Sequence, residues 1–238
     1  MTRLKRFFAI ACDADGTLTW RHRLALRTAG ALVRWREAGG KVILVTGEIR
    51  DDLLHLARTG LFDRIVGENG GTLLRPPAWT AQALSEGATA ELARLLRPRV
   101  SPLVVGQVLV GTQRPHESEL RSAVRTLKLD YRVLFNRKNV MALPAGVSKA
   151  YGLSAALDDL GVPPARVVGI GDGENDVPML RACGLGVAVA NATHQAKSAA
   201  DWVTRRRGPD GVMEVIRRLL DERDAAKKGL DSRLISIL

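Results

Sequence analysis

The chain has 238 residues, 46% of them hydrophobic and 26% charged, which predicts a globular protein with one large domain, or one domain and a smaller insertion. The net charge is +11, but scattered arginines and an aromatic content of only 4% argue against a nucleic-acid partner, and favour steering of a small anionic substrate or a solvated basic surface. No apolar run is long enough for a membrane span or a signal-peptide core, and the cysteine usage fits a reducing compartment, so we expect a cytoplasmic protein with no membrane partner.

The first part of the chain alternates apolar strands with helices. Predicted elements are a strand at 7–12, a helix at 21–38, a strand at 41–45, a helix at 51–59 and a strand at 64–66. A further strand at 72–74 is predicted to return as a hairpin. This alternation is typical of a parallel sheet with helices on both faces.

The pattern changes at Arg75-Pro76-Pro77 and resumes after Gly146. Between them the sequence predicts an α+β insertion with a helix at 81–96, a strand at 103–110, a helix at 117–127 and strands at 131–135 and 140–143. The insertion holds ten lysines and arginines against five acidic residues. This balance suits a basic lid over an anionic substrate, although an ordinary exposed face explains it nearly as well.

The last part of the chain returns to strand and helix in alternation. Ser148 is the predicted N-cap of a helix that runs to Leu160. The elements that follow are a strand at 166–170, a helix to 182, a strand at 185–189, a short helix from 193, a strand at 202–203 and a helix at 211–228. We expect the final ten residues to be frayed or lightly docked.

Several polar residues stand where strands of this predicted sheet end. They are Asp13, Asp15, Thr46, Lys149, Asp172 and Asp176. The carboxyl ends of parallel strands share one edge of a sheet, so these side chains are expected to converge there. Carboxylates with one lysine and one hydroxyl are the groups that metal-assisted phosphoryl transfer needs.

Each of these positions also has a purely structural explanation. The stretch from Asp13 to Thr19 could be a charged corner, and Thr46 a strand-end cap. Lys149 alone would be a solvated lysine at the start of a helix. Asp172 and Asp176 could occupy a turn and a first helical turn, where the helix dipole favours acidic side chains.

Taken in order, four motifs resemble the haloacid dehalogenase superfamily of phosphatases over nearly the whole chain. They are Asp13-Ala14-Asp15-Gly16-Thr17, Val42-Ile43-Leu44-Val45-Thr46-Gly47, Ser148-Lys149 and Gly171-Asp172-Gly173-Glu174-Asn175-Asp176. The insertion lies between the second and third motifs, which is similar to the C2 cap of the Cof-like sugar-phosphatase branch. Within that branch the short chain and small cap look most like archaeal-type phosphoglycolate phosphatases.

The resemblance implies an α/β fold in two parts. A Rossmann-like parallel sheet with helices on both faces would occupy residues 1–76 and 146–238, and a small α+β cap of the C2 type would occupy residues 77–145. One departure from the family pattern is Glu48, where many relatives carry Arg or Asn. That difference leaves the local substrate contact open.

The resemblance also implies a role for each motif residue. Asp13 would attack phosphorus and Asp15 would act as the general acid and base. Thr46 and Lys149 would hold the phosphoryl oxygens. Two further substrate contacts are implied, at Gly47 and Asn175.

A magnesium ion is implied at the same edge. Its ligands would be Asp13, Asp15 through the backbone carbonyl, Asp172 and Asp176. The four histidines show no ligand spacing and receive no catalytic role.

The implied activity is Mg²⁺-dependent hydrolysis of a small phosphomonoester, 2-phosphoglycolate or a sugar phosphate, through an aspartyl-phosphate. The partner is then a small phosphorylated metabolite, and a homodimer stays open. Two other functions are consistent with the same residues. One is a phosphomutase acting on a sugar phosphate, and the other is a non-catalytic basic binding protein on the same scaffold.

Overall fold

The computed structural model describes residues 7–77 and 81–235, with side chains described through residue 225. The first part of the chain follows the predicted alternation. Its elements are β1 (Ala9–Cys12), α1 (Leu26–Glu37), β2 (Lys41–Val45), α2 (Arg50–Ala57), β3 (Arg64–Gly67), β4 (Thr72–Leu74) and β5 (Ala81–Ala83). Strand β4 pairs antiparallel with β3, which confirms the predicted hairpin.

The middle part of the chain forms a second, smaller α+β unit. Its elements are α3 (Thr89–Leu96), β6 (Val104–Val105), β7 (Val110–Gln113), α4 (Glu117–Thr126), β8 (Tyr131–Asn136) and β9 (Asn139–Pro144). The four strands form an antiparallel sheet in the order β6-β7-β9-β8. This unit has its own apolar core, which includes Leu92, Leu120 and Val140.

The last part of the chain completes the large sheet. Its elements are α5 (Lys149–Leu160), β10 (Val167–Gly171), α6 (Val177–Ala182), β11 (Leu185–Ala188), α7 (His194–Ala199), β12 (Trp202–Val203) and α8 (Gly208–Ile235). The Ser148 hydroxyl accepts a hydrogen bond from the Tyr151 backbone N–H, 3.2 Å away, which confirms the predicted N-cap of α5. Helix α8 begins earlier and ends later than predicted, so residues 229–235 are helical rather than frayed. Residues 236–238 lie outside the described part of the chain.

The large sheet has eight strands in the order β12-β11-β10-β1-β2-β3-β4-β5. The six from β12 to β3 are parallel, and at one edge β4 pairs antiparallel with β3 and β5 pairs antiparallel with β4. Helices cover both faces of this mixed sheet, as the α/β prediction requires. Helix α1 packs against α8, while α5 packs against α6 and the central strands. Within the described residues no helix combines the length and apolar character needed to cross a bilayer.

Two predictions for the middle part of the chain are wrong. Residues 81–83 form β5 rather than the start of a helix, because Ala81 and Ala83 pair with Leu74 and Thr72 of β4. Alanine accommodates either conformation, and the long-range pairing decides. The helix begins only at Thr89.

The predicted strand at 103–110 is also wrong, since a turn divides it into β6 and β7. The Gly106 backbone N–H donates to the Leu109 carbonyl, 2.8 Å away, so the chain reverses within this apolar run. The division of the chain into a core domain and a cap stays a proposal. The separate sheets support it, with β5 on the side of the core.

Candidate active site

The ends of three adjacent strands meet at one edge of the large sheet. Asp13 follows β1, Thr46 follows β2 and Asp172 follows β10. All three side chains are buried. The parallel register of these strands, in which Ala9 lies beside both Lys41 and Val167, places the three ends side by side.

Lys149 enters this edge from the first turn of α5. Its side chain is completely buried, and its ammonium group donates to the Asp13 carboxylate and to Asp176 Oδ1, the latter at 2.5 Å. Burial disfavours the charged ammonium, but the charges of Asp13 and Asp176 outweigh that effect and raise the pKa of Lys149. The lysine is therefore a permanent cation between two carboxylates.

The carboxylates around Lys149 are held in a poorly solvated environment. Burial raises the pKa of Asp13 well above its usual value. The negative charges of Asp176 and Asp172 also raise this pKa, whereas the positive charge of Lys149 lowers it. Burial and the Asp176 charge also raise the pKa of Asp172. The cluster thus carries more negative charge than one ammonium neutralises.

Three of the carboxylates could hold a metal ion. Single oxygens of Asp13, Asp172 and Asp176 lie within 4.8 Å of one another, and all three residues are buried. Hard oxygen donors of this kind suit Mg²⁺, which keeps several waters beside one or two carboxylates. Space beside Asp172 is kept by Gly16, where a Cβ atom would lie 2.5 Å from Asp172 Oδ2. These residues fit a divalent cation.

Hydrogen bonds fix the orientation of the two later carboxylates. Asp176 Oδ2 accepts from the backbone N–H groups of Asp172 and Gly173, each at 2.8 Å. The Thr17 hydroxyl donates to Asp172 Oδ1 at 3.2 Å, and the Asn191 side-chain amide lies 3.4 Å from Asp172 Oδ2. Asn191 also donates to the Gly16 carbonyl at 2.8 Å, so it links the loop after β1 to the loop after β10. No sequence motif had marked Asn191.

Asp15 occupies a different position from the other acidic residues. Its side chain is exposed, lies outside the buried carboxylate cluster, and accepts a hydrogen bond from the His22 backbone N–H at 3.4 Å. The Gly16 turn, with φ of 91°, lets the chain turn sharply between Asp15 and Thr17. Asp15 is therefore open to solvent, unlike Asp13, Asp172 and Asp176.

Thr46 and Gly47 line the second loop. The Thr46 hydroxyl oxygen accepts a hydrogen bond from the Glu48 backbone N–H at 3.2 Å, which leaves its own proton free to donate. A Cβ atom at Gly47 would lie 3.7 Å from Met141 Sδ of the smaller unit. The two units therefore face each other across this loop.

Asn175 pairs with Asn69, which lies between β3 and β4. Its side-chain amide donates to Asn69 Oδ1 at 2.9 Å, and both residues are buried. Asn175 Oδ1 has no hydrogen-bond partner among the described residues. Asn69 has a positive φ of 55°, a conformation that asparagine tolerates better than most residues.

Glu68 joins the core to the smaller unit. Its carboxylate is buried and accepts three backbone hydrogen bonds, from Gln107 at 3.0 Å, Val108 at 2.8 Å and Leu109 at 2.9 Å. These residues form the turn between β6 and β7. No local sequence pattern predicts this contact, because Glu68 and Val108 lie 40 residues apart.

Glu48, the departure from the family pattern, pairs with a histidine. Its Oε1 lies 2.7 Å from His22 Nδ1, while its buried Oε2 has no hydrogen-bond partner in the described chain. Burial raises the pKa of Glu48 despite the opposing effect of His22. Burial also acts against the His22 imidazolium, but the Glu48 hydrogen bond and charge raise the pKa of His22.

One residue of the smaller unit reaches the carboxylate cluster. Arg137, in the turn between β8 and β9, forms an ion pair with Asp172 Oδ2. None of the four sequence motifs contains Arg137. Its only advance signal was the basic charge of the insertion.

Known proteins resemble this chain in sequence and in fold. A family model for haloacid dehalogenase-like hydrolases matches residues 103–216. A phosphoglycolate phosphatase of Methanoculleus marisnigri is 31% identical over 227 residues, covering 88% of this chain and 95% of that protein. A phosphoglycolate phosphatase of Methanothermobacter thermautotrophicus is 32% identical over 222 residues, covering 89% and 98%. A solved Thermoplasma acidophilum structure matches with a TM-score of 0.76 and 17% identity, covering 90% and 98%.

Proposed function

The chain belongs to the haloacid dehalogenase-like hydrolases and is a phosphatase, and on that premise we propose that it hydrolyses 2-phosphoglycolate through an aspartyl-phosphate on Asp13, with Mg²⁺ as cofactor. The observation that carries the mechanism is the burial of Asp13 against Lys149 within a cluster of carboxylates. The substrate follows from the two relatives named phosphoglycolate phosphatases, each matched over most of its length.

Two groups would work on the reacting bonds. An ionised Asp13 oxygen forms a bond to phosphorus as the ester P–O bond breaks, and Asp15 gives its proton to the departing alkoxide. In the second half, Asp15 takes a proton from water while the water oxygen displaces the Asp13 carboxylate from phosphorus. Inorganic phosphate leaves, and both carboxyl groups return to their starting states.

The other site residues would bind and orient the phosphoryl group. Lys149 would oppose the effect of burial on Asp13, because its ammonium group favours the charged carboxylate. The Thr46 hydroxyl, the Gly47 backbone N–H and the Asn175 side chain supply hydrogen bonds to phosphoryl oxygens. Asp176 holds Lys149 from the other side.

Asp13, Asp172, Asp176 and the Asp15 carbonyl would hold the Mg²⁺ ion. When bound, the cation neutralises part of the charge of the phosphoryl group and of the three carboxylates. Membership in a hydrolase family makes the non-catalytic binding protein the weakest of the original alternatives. A cytoplasmic location remains a prediction, and a homodimer stays open.

The test is phosphate release from a panel of phosphomonoesters, measured with Mg²⁺ and with a chelator. The panel holds 2-phosphoglycolate, hexose phosphates and nucleoside monophosphates. We expect metal-dependent release with the highest kcat/KM on 2-phosphoglycolate. A higher kcat/KM on a hexose phosphate would show that 2-phosphoglycolate is not the preferred substrate. Phosphate release in the presence of the chelator would overturn the metal requirement.

A matched pair of variants tests the nucleophile in the same assay. Asp13→Asn removes the attacking oxygen's charge, whereas Asp52→Asn makes the same change at an exposed position of α2. Only the first should lose turnover. Labelling from radiolabelled substrate that survives an acid quench and then resists hydroxylamine would contradict an acyl phosphate on Asp13.

A further inference from the structure

We propose that Arg137 determines substrate specificity by binding a carboxylate of the substrate that lies close to the phosphoester. This inference rests on the proposed function, since it concerns the same site and names how the second charged group of the substrate is recognised. It assigns a role to a residue of the smaller unit rather than of the core. The supporting observations are the placement, the backbone conformation and the free hydrogen-bonding capacity of Arg137.

The turn that carries Arg137 is inserted between two loops of the core. The Arg137 guanidinium pairs with Asp172, and its Nη2 atom would lie 3.0 Å from a Cβ atom at Gly16. Asn136, the preceding residue, has its Oδ1 atom 3.1 Å from the Cβ position of Gly173. Consecutive residues of one turn thus lie against the loops after β1 and β10, where the phosphoryl group would bind.

The backbone of Arg137 is unusual for its residue type. Its φ angle is 54°, in the left-handed region that glycine and asparagine occupy most readily. A turn under no other constraint would place one of those residues there. Non-glycine residues in this conformation cluster at functional sites, where the side chain is needed at that point.

The guanidinium already binds a carboxylate and has donors to spare. Its described ion pair uses Nη2, and 52% of the side chain is exposed, so other N–H groups are open to a ligand. A guanidinium offers five donors in a planar fork that matches a carboxylate bidentately. A ligand carboxylate would bind as Asp172 does, at the same group.

Position decides which anion the arginine would recognise. The proposed phosphoryl ligands Lys149 and Thr46 are buried in the core, whereas Arg137 reaches Asp172 from the smaller unit. Arg137 touches a member of the carboxylate cluster itself, so the second anion must lie within a bond or two of the phosphoester. A carboxylate on the adjacent carbon meets that condition, whereas the second phosphate of a sugar bisphosphate lies several bonds further away.

The test compares two substrates that differ only in this group. 2-Phosphoglycolate carries the carboxylate, and 2-hydroxyethyl phosphate carries an uncharged hydroxymethyl group in its place. We expect Arg137→Gln to lose on the order of 10- to 100-fold in kcat/KM on 2-phosphoglycolate, mainly through KM, which is the range for a charged hydrogen bond. Its kcat/KM on 2-hydroxyethyl phosphate should stay within about twofold of wild type.

The neighbouring lysine provides the control. Lys138→Gln removes the same charge from the same turn, at an exposed residue, and should leave both substrates unaffected. Equal losses on both substrates for Arg137→Gln would overturn the proposal, because the arginine would then act on the phosphoryl group or on closure. So would equal losses in the Lys138 variant, which would indicate a general field effect.

The wild-type measurements separate this inference from the function beneath it. Hydrolysis of both esters with no preference for the carboxylate would overturn the role of Arg137 and leave the phosphatase proposal standing. Efficient hydrolysis of a bisphosphate over 2-phosphoglycolate would do the same. Absence of hydrolysis with every phosphomonoester, in a protein whose circular dichroism shows a folded chain, would overturn both.

Discussion

The Lys149 ammonium group and the Asp13 carboxylate form a buried ion pair across 136 residues of sequence. The same ammonium group also binds Asp176, so one cation serves two buried carboxylates. Removal of one partner from a buried pair leaves the other charge without compensation. Loss of Lys149 would leave two buried carboxylates without their cation, whereas loss of the Asp13 charge would still leave Lys149 paired with Asp176.

Replacement of Lys149 by methionine should destabilise the protein by about 3–5 kcal/mol at neutral pH, the range for breaking a buried ion pair. Chemical denaturation measures this directly. The loss should shrink under mildly acidic conditions, because Asp13 and Asp172 have raised pKa values and their protonation removes the uncompensated charges. Lys138→Met at an exposed position is the control, and a loss that does not change with pH would contradict the electrostatic explanation.

Asp13→Asn should separate activity from stability. Loss of the nucleophile is expected to reduce kcat by roughly 10⁴-fold or more. The melting temperature should not fall, because burial disfavours the Asp13 carboxylate and a neutral amide avoids that cost. A melting temperature clearly below that of wild type would show that the charge of Asp13 stabilises the fold.

Titration of His22 should show the influence of Glu48. The pKa of His22, followed by its imidazole resonances in NMR, is expected above the ordinary value of about 6.5. In Glu48→Gln the pKa should return toward that value. An unchanged His22 pKa in the variant would mean that other groups raise it.

The same pair predicts a pH-dependent stability difference. A histidine with a raised pKa in the folded state contributes stability that is complete below its unfolded pKa and disappears as the pH rises through its folded pKa. The free energy of unfolding of wild type should therefore exceed that of His22→Gln by the largest amount at pH 5 to 6. The two values should converge at alkaline pH. His22 is largely exposed, so we expect a small difference.

Glu68→Gln should loosen the turn between β6 and β7. Glutamine has one carbonyl oxygen in place of two carboxylate oxygens, so it cannot satisfy all three backbone N–H groups of Gln107, Val108 and Leu109. We expect a loss of about 1–3 kcal/mol and faster hydrogen exchange at these three amides. Glu91→Gln, at an exposed position of α3, should change neither. Exchange that accelerates equally in α5 would indicate global rather than local loosening.

Magnesium should stabilise the folded chain through the carboxylate cluster. At a concentration one hundred times its Kd, a ligand that binds only the folded state adds about 2.7 kcal/mol. Wild type should therefore melt at a higher temperature with Mg²⁺ than with a chelator, and Asp172→Asn should show little of this difference. An equal shift in the variant would place the cation elsewhere.

The central sheet and its polar edge were predictable because their signals are local. The apolar run of β2 at Lys41–Val45 has the bounds that the sequence predicts, and the Ser148 cap is read from its own residue type. Asp13, Lys149, Asp172 and Asp176 also converge as parallel strand ends require. Their catalytic roles remain proposals.

The contacts between separate elements could not be predicted from local patterns. Strand β5 depends on pairing with β4, and the turn within 103–110 depends on a carboxylate from Glu68, which lies about 40 residues earlier. The contact of Arg137 with Asp172 spans 35 residues and two different sheets. Arginines are scattered along the whole chain, so nothing in the sequence distinguished this one.

The position of β1 in the large sheet has a consequence during synthesis of the chain. Strand β1 lies between β2 and β10, and β10 leaves the ribosome more than 150 residues after it. Until then the nascent sheet ends at β1, with a row of unpaired backbone groups along one side. The smaller unit, which has its own core, is complete before β10 emerges. Folding during synthesis would therefore form the smaller unit first. The candidate active site would form last, when β10 pairs with β1.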